Sequence, residues 1–124
     1  MTNLSFTLHH ASLIVSDTEV SLTFYRDVIG LQQTDRPDLG FPGAWLQLGD
    51  QQIHLLELEN PDPVTGRPEH GGRDRHIALS VQELSPIQDI LDKTGTAYTL
   101  SKSGRLALFC RDPDGNALEI LQQP

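Results

Sequence analysis

Two short segments of this chain repeat each other, and the repeat limits the folds that the chain can adopt. The segment at 10–15 reads HASLIV, and the segment at 76–81 reads HIALSV. A second pair follows at nearly the same spacing, with IHL at 53–55 and LEI at 118–120, each just after a turn signal. Self-similarity at a fixed spacing indicates duplicated structural units. The sequence therefore predicts two similar modules, each opening with a strand that bears a histidine.

Both copies alternate with the period of two that a half-buried strand requires. In each copy the second, fourth and sixth positions are mainly apolar and predict a core face, whereas His10 or His76 lies on the opposite face. The same alternation places His54 and Glu119 on the faces away from the core of their own strands. The sequence thus predicts that four residues of metal-ligand type lie on the open faces of two sheets.

Composition agrees with an ordinary globular protein. At 124 residues, with 37% hydrophobic and 21% charged residues, the chain can form one domain, 1–124, with a sizeable core. No apolar run approaches membrane-spanning length, and the net charge of −8 disfavours a nucleic-acid partner. Cys110 is the single cysteine, which fits a reducing compartment. We therefore expect a cytoplasmic protein with neither a membrane nor a nucleic-acid partner.

The periodicity and the turn signals predict the same order of elements in both halves. Strands are expected at about 8–16, 31–35, 44–48, 51–58, 76–81, 97–101, 105–111 and 117–122, with helices at 18–29 and from a capping box at Ser85 to Gly95. These elements define module one, about 8–58, and module two, about 75–122. The polar segment 60–75 is too long for a hairpin connection, so it is either a linker or a functional loop.

In these motifs the chain resembles the vicinal oxygen chelate superfamily, which contains glyoxalase I, fosfomycin-resistance enzymes, extradiol dioxygenases and bleomycin-resistance proteins. The resemblance is carried by HASLIVSD followed by SLTFYRDVIGL, then RHIALSV and FCRDPDGNALEI, in this order along nearly the whole chain. It implies an α+β fold in which two βαβββ modules form a metal-binding cleft. It also implies a homodimer that acts on a small-molecule substrate.

The resemblance further implies a site for one divalent metal ion. In the family the ligands come from the first and last strands of each module, and His10, His54, His76 and Glu119 occupy those positions here. His54 stands where glyoxalase I has a glutamate and where some relatives use another residue or none. Two imidazoles and a carboxylate bind Fe, Mn, Ni or Zn in the divalent state and leave positions open for a substrate.

Other reactive side chains can be interpreted from their positions in the sequence. Arg105 is either a clamp for a carboxylate or phosphate of the substrate, or a surface arginine paired with an acid. His9 is expected to point away from His10 and to be structural or exposed. His70 is expected to be solvated, unless its loop carries it to the cleft. Cys110 falls on the core side of its strand, which predicts packing rather than nucleophilic chemistry.

Three functions remain open from the sequence. The first is a metal-dependent lyase or isomerase of the glyoxalase type, which stabilises an enediolate or oxyanion while Glu119 or a bound water moves the proton. The second is an Fe(II) extradiol-type dioxygenase that uses His10, His76 and Glu119. The third is a metal-free protein that binds a small molecule, as bleomycin-resistance members do. A fourth protein ligand favours the first function, because it leaves less room for oxygen.

Three departures from glyoxalase I concern the substrate. Ile14 stands where that enzyme has an arginine, Leu58 matches its glutathione-contacting asparagine, and His54 replaces its glutamate. We therefore expect little or no activity on the methylglyoxal–glutathione adduct.

Overall fold

The computed structural model describes residues 4–123. Module one contains β1 (His10–Val15), α1 (Thr18–Leu22, continued by a π-helical segment at Thr23–Val28), β2 (Gln32–Thr34), β3 (Gly43–Leu48) and β4 (Gln51–Glu57). Module two contains β5 (His76–Val81), α2 (Ser85–Thr94), β6 (Tyr98–Leu100), β7 (Ala107–Arg111) and β8 (Ala117–Gln122). Residues 60–75, called the strap below, connect the modules and contain a 3-10 turn at Gly71–Arg73. None of the helices within 4–123 is long and apolar enough to cross a membrane.

The strands form two four-stranded sheets of identical topology. Sheet 1 has the order β1-β4-β3-β2, and sheet 2 has the order β5-β8-β7-β6. In each sheet the first and last strands of the module pair in parallel, and the other pairs are antiparallel. The predicted α+β fold of paired βαβββ modules is therefore confirmed.

The core is built from one face of each sheet together with the helices. Its buried members come from both modules and include Val15, Tyr25, Leu46, Leu55, Leu91, Leu108, Leu118 and Ile120. Because successive side chains of a strand point to opposite faces, these apolar residues leave the other face of each sheet free. The predicted site residues lie on those two free faces.

The first helix differs in type from the prediction. It begins at the N-cap Asp17, whose carboxylate accepts the backbone N–H groups of Glu19 and Val20 at 3.0 and 3.2 Å. After Leu22 it widens into π-helical turns, so the Ile29 N–H donates to the carbonyl oxygen of Phe24 at 2.8 Å. The interpretation as a regular amphipathic helix over 18–29 was therefore wrong in its second half. The wider turns bury Tyr25 completely.

The second helix begins without the capping box expected at Ser85. Ser85 is already helical, and Leu84 occupies the N-cap with no side-chain cap. Leu84 is buried instead, and its N–H donates to Oε1 of Gln122 at 3.0 Å. A contact with β8 thus fixes the start of α2, and the capping-box prediction was wrong. Gly95 ends the helix as expected, with a φ of +67° that suits glycine.

Candidate metal centre

Each sheet carries two of the four predicted ligands on its free face. His10 and His54 lie on sheet 1, where β1 and β4 are neighbours. His76 and Glu119 lie on sheet 2, where β5 and β8 are neighbours. The sequence repeat therefore places one pair of candidate ligands on each of the two modules.

The pair on sheet 2 has the geometry of two ligands of one cation. Nε2 of His76 lies 3.2 Å from Oε1 of Glu119. Nδ1 of His76 lies 2.8 Å from the carbonyl oxygen of Asp74, which can only accept, so Nδ1 carries a proton. Nε2 of a neutral His76 then presents its lone pair toward a carboxylate oxygen. Such an arrangement is satisfied by a cation between the two atoms, either a proton or a metal ion, and a carbonyl oxygen that accepts from the other ring nitrogen is typical of metal-bound histidine.

Glu119 is a buried carboxylate with one cationic contact outside the pair. Its side chain is 6% exposed, and Oε2 accepts from Nη2 of Arg105 at 3.0 Å. The Arg105 side chain is itself 55% exposed and lies in the turn before β7, where it also approaches the Ser103 hydroxyl. Arg105 was predicted as the first residue of that strand, but it reaches the site from the turn. The contact brings a guanidinium next to the candidate metal position.

The pair on sheet 1 is a stack of rings. The centroids of His10 and His54 are 4.0 Å apart, and the His54 ring also stacks on Trp45 at 4.1 Å. His54 is buried, whereas His10 is exposed. Burial lowers the pKa of His54, and the nearby charges of His10, His9 and Arg36 lower it further. A neutral imidazole, the form that binds metal, is thus favoured at His54.

His9 is exposed as expected, but it does not point away from the site. Its Nδ1 lies 2.8 Å from Nδ1 of His10. The alternation that predicted the opposite orientation applies only within a strand, and β1 begins at His10. His9 therefore belongs to the extended lead-in, where strand alternation does not fix side-chain direction.

The two ligand pairs do not meet in a single chain. Among residues 4–123, no group of three or more His, Cys, Asp or Glu side chains is close enough to hold a metal ion. Each pair supplies two donor atoms, and a protein metal site of this kind uses three or four. The donor types therefore fit a divalent metal, whereas each pair alone holds fewer donors than such a site uses.

The strap lies across the end of the free face of sheet 2. The His70 ring packs on Phe109, with centroids 4.9 Å apart, and Phe109 in turn contacts the His76 ring edge-on at 5.4 Å. A Cβ added at Gly71 would lie 3.2 Å from Cβ of Phe109, so this close approach favours glycine. His70 is half-buried over the sheet rather than solvated, and the strap is a wall of the candidate site.

Asp74 fastens the strap to the sheet. Its carboxylate accepts from Arg67 at 2.7 and 2.8 Å and from Arg111 at 2.8 Å. Hydrogen bonds from Arg67, then from Arg111, hold the pKa of Asp74 far below its ordinary value. The backbone carbonyl of the same residue accepts from Nδ1 of His76. Asp74 therefore connects the anchoring of the strap with the orientation of a candidate ligand.

Asp112 lies in the turn that the sequence predicts before β8, and it also joins the two modules. It is buried, and Oδ2 accepts the Tyr25 hydroxyl at 2.6 Å. Asn116 donates both to Asp112 and to the carbonyl oxygen of Ile14 in β1. Burial raises the pKa of Asp112. The motif DPDGN could have suggested a buried acceptor only if a buried donor such as Tyr25 had been paired with it.

Cys110 is buried on the core side of β7, as predicted. Burial, with a smaller contribution from Asp112, raises the pKa of its thiol to about 12. The thiolate that nucleophilic chemistry requires is therefore disfavoured.

A cavity of about 400 Å³ opens beside His76, between the outer edges of β1 and β5. Its lining comes from both edges, the strap and the turn before β8, and includes Ala11, Leu13, Asp62, Arg75, Ile77 and Asn116. The volume is in the range of small-molecule sites.

Comparisons with known proteins agree with this architecture. Residues 7–120 match the model of the Glyoxalase/Bleomycin resistance protein/Dioxygenase superfamily. Glyoxylase I 4 from Arabidopsis thaliana is 31% identical over 119 residues, which cover 91% of this chain and 68% of that protein. Glutathione transferase FosA from Serratia marcescens is 32% identical over 116 residues, which cover 91% of this chain and 78% of that protein.

A solved structure supports the fold independently. The fosfomycin resistance protein FosX from Listeria monocytogenes superposes with a TM-score of 0.76, and the match covers 98% of this chain and 94% of that one. At 15% identity this likeness concerns the fold alone.

Proposed function

Because the chain belongs to the glyoxalase/bleomycin resistance protein/dioxygenase superfamily, we propose that it is a divalent-metal-dependent lyase or isomerase of the glyoxalase type. Its substrate would be a small oxygenated molecule. The observation that carries the proposal is the contact between Nε2 of His76 and Oε1 of the buried Glu119, two donor atoms 3.2 Å apart. A buried carboxylate beside an imidazole lone pair is the arrangement that a divalent cation stabilises.

We propose that the complete site forms between two copies of the chain. His10 and His54 of one copy would join His76 and Glu119 of the other, which combines the two pairs into a four-ligand set. Strands β1 and β5, which carry His10 and His76, each lie at the outer edge of a sheet and can meet a second chain. Leu4, Phe6 and Leu8 in the lead-in are also exposed, with 77%, 92% and 62% of their surfaces accessible. Such apolar exposure supports an interface.

In this proposal each side chain has a defined task. A divalent metal held by His10, His54, His76 and Glu119 would supply Lewis acidity toward two neighbouring oxygens of the substrate. Glu119 would hold the metal through Oε1, the oxygen that faces His76, while Arg105 holds Oε2. Glu119 or a water molecule would move the proton of the substrate. The exposed part of the Arg105 guanidinium would bind an anionic group of the substrate.

The substrate is proposed to differ from the glutathione adduct of methylglyoxal. Leu58 is 42% exposed and offers no amide where the resemblance to glyoxalase I would place a glutathione-contacting asparagine. Ile14, in β1, likewise offers no guanidinium. We expect turnover of that adduct by metal-loaded protein to stay near the background rate. Efficient turnover would contradict this part of the proposal.

Elemental analysis of the untagged protein tests the metal site directly. We expect about one divalent metal ion per chain after reconstitution. His76→Ala should lose the metal, because it removes one of the two donors on sheet 2. His70→Ala is the matched control: it removes an imidazole that packs on Phe109 beside His76 but is not a proposed ligand, and it should keep the metal.

Further outcomes separate the alternatives. Weakened binding in His54→Ala would support a four-ligand site, whereas full retention would support an open three-ligand site. Oxygen uptake with a catechol by the iron-loaded protein would favour the extradiol-type function. If the parent protein bound no metal after reconstitution, the enzyme proposal would fail and a metal-free binding protein would be the better account.

A further inference from the structure

Two glutamines on the free face of sheet 1 connect the turn after β3 to the imidazole of His54. In the antiparallel pair β3–β4, Gln47 lies directly opposite Gln52, and Trp45 lies directly opposite His54. All four side chains share one face because they are separated by two residues along each strand. Their polar atoms form a continuous chain of hydrogen bonds that ends at Nε2 of His54.

The donor-to-acceptor direction of these hydrogen bonds is fixed at Gln47. Nε2 of Gln47 donates to the carbonyl oxygens of Gly49 at 2.7 Å and Gln51 at 3.2 Å. Backbone carbonyls only accept, so the amide nitrogen of Gln47 must face them and its oxygen must face Gln52. Nε2 of Gln52 donates to that oxygen at 2.8 Å.

The next hydrogen bond joins Gln52 to His54. Because Gln52 uses its amide nitrogen toward Gln47, it presents Oε1 to His54, and Oε1 lies 2.8 Å from Nε2 of the imidazole. An amide oxygen only accepts, so Nε2 of His54 must carry the proton. A neutral imidazole has one protonated nitrogen, and Nδ1 of His54 therefore holds the lone pair.

Stacking restricts the orientation of the His54 ring plane. The His54 plane lies within 5° of the Trp45 plane and within 16° of the His10 plane, with partners on both sides. The Trp45 ring sets the plane of the imidazole, and Gln52 sets which edge carries the proton. Together they define both the position and the tautomer of the ring. The His10 ring lies in a nearly parallel plane, so it would have to turn out of the stack to bind the same metal ion as His54.

We propose that Gln52, itself held by Gln47, is a positioning residue that fixes the Nε2–H tautomer of His54, so that Nδ1 is the nitrogen His54 presents to a metal. This inference rests on the proposed function in one respect, namely that His54 is a ligand. His76 uses the opposite arrangement, since its Nδ1 donates to the Asp74 carbonyl and its Nε2 faces Glu119. The two histidines thus present different nitrogens, each selected by the acceptor that binds the other nitrogen of the same ring.

The experiment is a long-range ¹H–¹⁵N correlation spectrum of the ¹⁵N-histidine-labelled, metal-free protein, with His54 assigned from His54→Ala. We expect Nε2 of His54 to show the shift of a protonated nitrogen and Nδ1 the shift of an unprotonated one. After addition of Zn²⁺ alone, the Nδ1 shift should change while Nε2 keeps its proton.

Variants distinguish fixation by Gln52 from an intrinsic preference of the ring. Gln52→Leu removes the acceptor and should give a mixture of both tautomers, with the two ¹⁵N shifts moving toward each other. Gln52→Glu supplies a carboxylate that only accepts and should retain the Nε2–H form. Gln51→Leu is the matched control, because its side chain lies on the other face of the same strand and makes no hydrogen bond to His54.

A proton on Nδ1 of His54 in the parent protein, or unchanged His54 shifts in Gln52→Leu, would overturn the inference. Failure of the proposed function gives a different result. In that case Zn²⁺ would not bind, or would bind without moving Nδ1, while the metal-free spectra of the parent and the variants would still report the tautomer.

Discussion

Glu119 is a buried carboxylate that contacts both a candidate metal ligand, His76, and a candidate substrate-binding residue, Arg105. Its nearly buried carboxylate has a different neighbour on each oxygen, with His76 at Oε1 and Arg105 at Oε2. An unpaired buried carboxylate is costly, so at least one cation must accompany it. In the proposed site a metal ion would lie between His76 and Oε1, and Arg105 would stay at Oε2 beside the substrate.

Substitution of Arg105 tests whether its guanidinium binds the substrate. Arg105→Ala should raise KM for an anionic substrate by about 10- to 100-fold, the effect of removing one charge-assisted hydrogen bond. Bound metal should stay near the parent level, because Arg105 is not a proposed ligand. The measurement is steady-state kinetics together with elemental analysis of the same preparations.

Lys102→Ala is the control for Arg105, since it removes a nearby exposed cation that has no contact with Glu119. An equal rise of KM in both variants would indicate general electrostatic attraction and would contradict a specific clamp.

At the residue scale, the sequence predicted which faces carry His10, His54, His76 and Glu119, because strand alternation alone determines this. It did not predict Asp112, since a turn motif explains that aspartate locally and its partner Tyr25 is far away in the chain. It also misplaced His9, because the alternation was extended beyond the first residue of β1.

Among the elements, the first helix and the turn before β8 are joined by one buried hydrogen bond. Tyr25→Phe removes the hydroxyl that donates to Asp112 at 2.6 Å and leaves a buried carboxylate with one fewer donor. We expect the free energy of unfolding to fall by about 1–3 kcal/mol. Urea denaturation checks this, with Tyr98→Phe as the control.

Tyr98 makes a similar bond to Asp92, at 2.9 Å, but in an exposed position. Loss of this hydrogen bond in Tyr98→Phe should lower the free energy of unfolding clearly less, because water can replace the hydroxyl. Equal costs in the two variants would contradict the joining role assigned to Asp112.

The attachment of the strap through Asp74 can be tested by proteolysis. Asp74→Asn removes the charge that binds Arg67 and Arg111, so the strap should separate from sheet 2 more often. Limited trypsin digestion should then cleave at the exposed Arg73 several-fold faster, since cleavage follows the population of the open form. Asp62→Asn is the control, because its bridge to Arg75 is exposed on both sides and contributes little.

The pH dependence of the strap follows from the same carboxylate. Arg67, then Arg111, depress the pKa of Asp74 in the folded protein. Its stabilising contribution is therefore fully present above the unfolded-state pKa of ~3.9 and is lost as the pH falls toward the lower folded-state pKa. The difference in digestion rate between the parent and Asp74→Asn should thus be largest at neutral pH and should begin to shrink as the pH falls below ~3.9, as measured with an acid-active protease.

At the element scale, the order of strands and helices followed from periodicity and turn residues. The π-helical turns at Thr23–Val28 and the uncapped start of α2 did not, because both are set by tertiary contacts. The burial of Tyr25 and the bond from Leu84 to Gln122 override local propensity there.

For the whole molecule, the internal repeat predicted two modules of equal topology, and the two sheets have that topology. It could not predict that the ligand pairs stay apart within a chain, because a repeat fixes the content of each module and not their relative placement. Because His10 and His54 lie apart from His76 and Glu119 among residues 4–123, we proposed a site shared by two copies.

The most direct test of this account is the metal content of mixed dimers. His10→Ala removes a ligand from sheet 1, and His76→Ala removes one from sheet 2, so neither variant alone should hold the metal. Co-expressed and randomly assorted, they should regain about one quarter of the parent content, because about half of the dimers would have one intact site of two. Elemental analysis giving that fraction would support a site built from both chains. A mixture as empty as the separate variants, in a preparation shown to contain mixed dimers, would contradict it.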